Sequence, residues 1–125
     1  MLKMNNKLLT KRAYNRRLKI TKGHLKDFEE IYNGLRKKYA YNENQAAVLC
    51  KGYSEHIEQF KKEIRFYENM LNAMDKAKGV VRQKWFESQI LALENRTPLE
   101  VIMNEPRGLD KILNLVGRIE YGIFD

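Results

Sequence analysis

Few residues of this chain are of a type that could do covalent or metal chemistry. There are two histidines, His24 and His56, and neither has a neighbour at metal-ligand spacing. Cys50 is the only cysteine, so no internal disulfide can form. No glycine loop is placed to cradle a phosphate, and no pair of carboxylates sits in an apolar context. The sequence therefore points away from catalysis, and no metal, cofactor or small-molecule substrate is expected. The residues suited to recognition fall in two groups. Arg118, Glu120, Tyr121 and Phe124 cluster near the end of the chain, and arginine and aromatic side chains are enriched at binding hot spots. At the other end Lys3, Lys7, Lys11, Arg12, Arg16, Arg17, Lys19 and Lys22 stand within 22 residues that hold no acid.

That second group sets the electrostatics of the whole molecule. The chain carries 24 basic and 16 acidic residues, a net charge of +8. The first 22 residues account for all of it, and the remainder is formally neutral. A basic arm on a neutral body has three readings: contact with DNA or RNA phosphates, contact with an acidic protein, or a solubilising tail. Lys11, Arg12, Arg16, Arg17, Lys19 and Lys22 are the candidates for phosphate contact. Tyr14 and the spacing of Arg12, Arg16 and Arg17 do not make a base-reading motif.

Positioning these groups falls to helices. Hydrophobic residues make up 43% of the 125 residues, charged residues 32%, and there are two prolines. That composition suits a mostly helical fold with a core. No stretch approaches the roughly 18 uninterrupted apolar residues of a membrane span, and no apolar run follows the basic start as a secretory signal would require. With an unpaired cysteine, a cytoplasmic setting is expected.

The segment up to Thr21 is expected to be mobile or partly helical. Leu25, Phe28, Tyr32, Leu35 and Tyr39 recur in steps of 3 and 4, which predicts a helix over 24–41. Tyr41 to Asn44 reads as a turn. Ala46, Cys50, Tyr53, Ile57, Phe60, Ile64, Tyr67, Leu71 and Met74 then form a heptad seam over about four heptads. It predicts one long helix from about Glu43 to about Lys78, packed antiparallel on the first helix or along a second copy of the chain as a homodimer. Tyr53, Ile57, Phe60, Ile64, Tyr67 and Leu71 are its core-or-dimer residues. Gly52 leaves a second reading open, a helix-turn-helix at 44–60 with its turn at Gly52-Tyr53 and Ser54 as N-cap. The seam passes Gly52 without a phase shift, which favours the continuous helix.

Gly79 reads as a break. Val80, Val81, Trp85 and Phe86 suggest a helix ending near Leu93, with Trp85 in the core. Thr97-Pro98-Leu99-Glu100 has the form of a capping box with proline at the first helical position. It predicts a short helix over about 98–103 that buries Leu99, Ile102 and Met103. Asn104-Glu105-Pro106 opens another helix, with Leu109, Ile112, Leu113, Val116 and Ile119 on its buried face. Gly117 suggests close packing, and Gly122 a helix stop.

The order of these C-terminal signals resembles the C-terminal toxin-binding domain of Xre/MbcA/ParS-type antitoxins. The resemblance rests on Trp85-Phe86 with Leu93 eight residues on, Arg96-Thr97-Pro98-Leu99-Glu100, Glu105 and Gly108 at a helix start, and the closing stretch VGRIEYGIFD from Val116. Two features depart from the family pattern. Phe86 replaces a leucine, and Glu94-Asn95 stands where the family has a glycine-rich bend, which Asn95 can accommodate in a left-handed conformation. The resemblance implies that residues of about 80–125 bind a cognate toxin, commonly a RES-type enzyme that degrades NAD. It implies inhibition by occlusion of the toxin's active site, often combined with repression of the antitoxin's own operon. Arg118, Glu120, Tyr121 and Phe124 then become candidate toxin contacts.

The expected architecture is all-α: a basic arm at 1–22, a helical hairpin with a long second helix at 23–79, and a small C-terminal helical toxin-binding domain at 80–125. The alternative, from another functional class, is a nucleic-acid-binding regulator of phage or plasmid origin that uses the basic arm and the helix-turn-helix.

Overall fold

The computed structural model describes residues 7–40 and 42–122. Over these residues the fold is all-α, with helices α1 (Lys11–Lys38), α2 (Glu43–Ala77), α3 (Pro98–Asn104) and α4 (Gly108–Glu120). Two short 3-10 turns, Gln83–Glu87 and Leu91–Leu93, join the long helices to the small ones. The chain forms two compact units. Of the described residues, Arg16–Arg65 makes one; residues 7–15 together with 66–122 make the other.

In the first unit the two heptad patterns meet. The Sγ–H of Cys50 points at the carbonyl of Tyr32. The Phe28 ring packs against Tyr53, His56 and Phe60 at centroid distances of 5.6, 5.5 and 5.0 Å. His24 lies 5.8 Å from Phe60. Residue numbers fall on α1 as they rise on α2, so the pair is antiparallel. Only a narrow stripe can be buried between two helices, and the burial follows that geometry. Cys50, Ile57 and Phe60 are buried, whereas Tyr53 and Ile64 are half-buried. In this unit the seam packs on α1 of the same chain, the intramolecular one of the two arrangements that the pattern left open.

Gly52 does not interrupt α2. A Cβ at that position would meet nothing within 4 Å, and the helix continues through it from Glu43 to Ala77. The helix-turn-helix reading of 44–60 is thereby corrected: the intrahelical hydrogen bonds and the unbroken seam outweigh the cost of one glycine, about 1 kcal/mol relative to alanine. Asn42 caps α2, its side-chain oxygen accepting from the Gln45 N–H at 3.0 Å. Tyr41 of the expected turn lies outside the described residues. At the far end Gly79 adopts φ +80°, and the Val80 and Val81 N–H groups close back on the carbonyl of Ala77. This left-handed stop is the one that the sequence suggested.

The second unit holds a correction to the arm. From Lys11 onward the expected arm is the first part of α1, thirteen residues before the predicted helix start at His24. Thr10 supplies the cap, its Oγ1 accepting from the Ala13 N–H at 3.1 Å. Tyr14 is 1% exposed. Its ring stands 6.0 Å from Phe66, edge-on, and 6.1 Å from Tyr67, and its hydroxyl accepts from the Leu9 N–H. The extended residues before the helix are held as well. The Leu8 N–H donates to Glu87 at 3.1 Å, and the Gln83 amide donates to the Leu9 carbonyl. On this part of α2 the apolar stripe widens beyond the seam to Phe66, Met70, Ala73 and Ala77, all buried.

Residues 80–93 are not the regular helix that the spacing suggested. Ser88 and Ile90 are extended, and Ile90 forms an isolated antiparallel bridge with Arg96. Closing that bend takes two consecutive left-handed residues, Glu94 at φ 58° and Asn95 at φ 62°. Asn95 thus does what the departure from a glycine-rich bend required of it. Phe86 is buried, and Trp85, expected in the core, is half-buried with its ring edge-on to Phe86.

Candidate toxin-binding face

The C-terminal helices are locally specified. Thr97 caps α3 by accepting from the Glu100 N–H at 3.1 Å, and its hydroxyl donates to the Glu100 carboxylate. Pro98 occupies the first turn, where a missing N–H costs nothing. Leu99, Val101 and Ile102 are buried and Met103 is half-buried. α4 buries Ile112 and Val116 completely, and Leu109, Leu113 and Ile119 flank them half-buried. Gly122, at φ +75°, ends α4 by donating its N–H to the Ile119 carbonyl.

Close packing falls on Gly108 and not on Gly117. A Cβ at Gly108 would overlap the carbonyl of Val101 and lie 2.8 Å from the Cα of Ile102, whereas one at Gly117 would meet nothing within 4 Å. Gly108 therefore lets the start of α4 lie directly against the backbone of α3.

One carboxylate ties the sequence motifs together. Glu105 accepts from the guanidinium of Arg96 and lies 2.7 Å from the ammonium of Lys111. The hydrogen bond from Lys111, followed by that from Arg96, holds its carboxyl below the ordinary value of 4.5. Arg96 also donates its Nε–H to the Leu93 carbonyl at 3.0 Å. The network fixes the Leu91–Asn95 bend against the start of α4.

Between that bend and α4 lies a cleft of about 250 Å³, lined by Ala92, Glu94, Lys111, Asn114, Leu115 and Arg118 among others. Two large side chains stand out of the surface beside its lining residues. Leu91, next to Ala92 in the chain, is 78% exposed, and Tyr121, one turn after Arg118, is 81% exposed. A larger opening of about 700 Å³ over α3 involves Glu87, Thr97 and Glu100, and no aromatic side chain lines it.

Arg118 and Tyr121 are exposed on and just after the last turn of α4. Glu120 is exposed but faces Lys76 at 3.8 Å. Phe124 lies outside the described residues. Leu91 and Leu115 escaped the sequence reading, because both sat inside stretches read as helix and neither breaks its pattern. Among the basic candidates, Lys11 is ion-paired with Asp75. Arg17 lies close enough to Glu63 to favour its ionised form, against the burial that raises that carboxyl. Arg12, Arg16, Lys19 and Lys22 are exposed along α1.

No described helix is long and apolar enough to cross a membrane. No curated protein sequence and no solved structure gives a significant match to the chain. A family match does exist and covers residues 78–122: the antitoxin Xre/MbcA/ParS C-terminal toxin-binding domain. Its span holds the 3-10 turns, the Arg96–Glu105–Lys111 network, the glycine contact between α3 and α4, and the exposed end of α4. The C-terminal segment of this chain, residues 78–122, matches the toxin-binding domain of the Xre/MbcA/ParS antitoxin family.

Proposed function

We propose that this protein is the antitoxin of a type II toxin–antitoxin pair and neutralises a RES-type, NAD-degrading toxin by covering its active site. The observation that carries the reading is the family match over residues 78–122. Occlusion asks no chemistry of the antitoxin's own side chains, so the protein is read as a non-enzymatic binder acting in the cytoplasm. Arg118 and Tyr121, with Leu91 and Leu115, form the contact face in this reading; Glu120 contributes at its rim, and Phe124 is assigned to it from its place in the sequence. Exposed leucine and tyrosine beside an arginine supply the apolar centre and polar edge of a protein interface.

The test is co-expression with a RES-type toxin, followed by NAD turnover measured on the purified pair. Stoichiometric antitoxin abolishes turnover. Tyr121→Ala combined with Leu91→Ser weakens the complex by about 2 kcal/mol or more, roughly 30-fold in Kd. Unchanged affinity in that variant would place the contact elsewhere on the domain. Undiminished NAD turnover with wild-type antitoxin would remove the RES assignment. Repression of the protein's own operon belongs to the same proposal and requires a DNA contact, which a helix-turn-helix at 44–60 does not provide.

A further inference from the structure

The basic residues of α1 are not equivalent once the helix is folded. Leu18, Thr21, Leu25, Phe28 and Tyr32 recur in steps of 3 and 4 and form the side of α1 that meets α2. Arg17 lies toward that side, near Glu63, and Lys11 is ion-paired with Asp75. At about 100° per residue, Arg16, Lys19, Gly23 and Lys26 fall on the opposite side. All four positions are exposed. No acid lies between Arg16 and Lys26; Asp27, on the same side beside Gly23, and Glu30 close the run. On α2, Glu63 interacts with Arg17 and His24 of the packing side.

We propose that this outward face of α1 (Arg16, Lys19, Gly23 and Lys26) binds the phosphate backbone of duplex nucleic acid without reading bases. The run extends roughly 15 Å at 1.5 Å per residue, long enough to follow a few phosphates. Lysine ammoniums are point charges, suited to phosphates more than to the bidentate recognition of base edges. The face carries no aromatic ring on which an unpaired base could stack, which disfavours single strands. It presents no apolar centre for a protein interface. The apolar side of α1 is spent on α2 and is not available for insertion into a lipid surface. At Gly23 a Cβ would have met nothing within 4 Å, so the backbone there is open to a close approach. The proposal does not depend on the toxin assignment, since residues 78–122 take no part in it.

The experiment is fluorescence anisotropy of the full chain with a labelled duplex of arbitrary sequence, at salt from 50 to 200 mM. Neutralising three to four phosphates gives a log–log slope near −3, a weakening on the order of 40- to 150-fold across that range. Arg16→Gln, Lys19→Gln and Lys26→Gln together weaken binding at least tenfold and flatten the slope by two to three units. Lys37→Gln, Lys38→Gln and Lys51→Gln remove the same net charge elsewhere and leave binding within about threefold. Circular dichroism establishes that both variants retain their helices. Equal losses in the two variants would reduce the effect to net charge and overturn the site. So would absence of duplex binding at 50 mM salt, or preferential binding of a single strand or of anionic vesicles.

Discussion

At the scale of single residues, the C-terminal unit depends on a few positions whose neighbours leave no choice. Gly108 faces the Val101 carbonyl so closely that any side chain must displace one helix from the other. Gly108→Ala is expected to destabilise by about 2–4 kcal/mol, whereas Gly117→Ala, with open space around it, should be neutral or stabilising. Thermal unfolding of the two variants side by side checks the contrast. Glu105 makes a prediction in pH. Its folded-state value is depressed by Lys111 and Arg96, so its contribution is fully present above the ordinary value of 4.5 and is lost as pH falls through the lowered one. The wild type should therefore lose stability on acidification below about pH 4.5. Glu105→Gln should lower the melting temperature at pH 7 and remove part of that acid-side loss; an unchanged pH profile would show that the ion pairs are idle. Glu63 has the opposite sign. Its burial raises the carboxyl value, so its stability contribution is lost as pH rises through that value.

At the scale of elements, α2 makes its own test. Gly52 lies inside a continuous helix with free space at its Cα. Gly52→Ala should therefore stabilise the protein by up to about 1 kcal/mol, measured by denaturant titration. Destabilisation would point to a turn at Gly52-Tyr53 instead. The long helix was legible in the sequence because its evidence is local: nine seam residues keep 4–3 spacing whatever they pack against. The segment 80–93 was not legible for the converse reason. Its apolar spacing fits a helix, but the Ile90–Arg96 bridge and two left-handed residues hold it in another path. Those constraints come from Arg96, Glu105 and Lys111, none of them within the segment.

At the scale of the whole molecule, residues 78–122 are part of a larger compact unit than the family match covers. Leu8 and Leu9 bond to Glu87 and Gln83, and Tyr14 is buried against Phe66 and Tyr67. The matched residues 78–122 therefore fold with support from Leu8, Leu9 and Tyr14 and from the end of α2. Tyr14→Ala should cost about 3–5 kcal/mol, and deletion of residues 1–15 should lower the melting temperature of the C-terminal unit. Both are checked by hydrogen exchange at the amides of α3 and α4. Unchanged protection there would mean that the domain stands alone.

The sequence by itself determined the helical class, the extent of α2, the stop at Gly79, the capped start of α3 and the C-terminal motif that marks a toxin-binding domain. Each is written in spacing or in a single cap, and needs only residues within a few positions of one another. Tertiary structure decided where the basic and aromatic residues lie. Tyr14 looked like a neighbour of the charges and became core, because Phe66 and Tyr67 come to it from fifty residues away. Lys11 and Arg17 face acids on α2, while Arg16, Lys19 and Lys26 are turned outward, because α1 continues through the expected arm and must present one side to α2. The proposed contact face at the other end divides in the same way: Arg118 and Tyr121 were legible as types near the chain end. Only the bend held by Arg96 and Glu105 set an exposed Leu91 beside the cleft next to them.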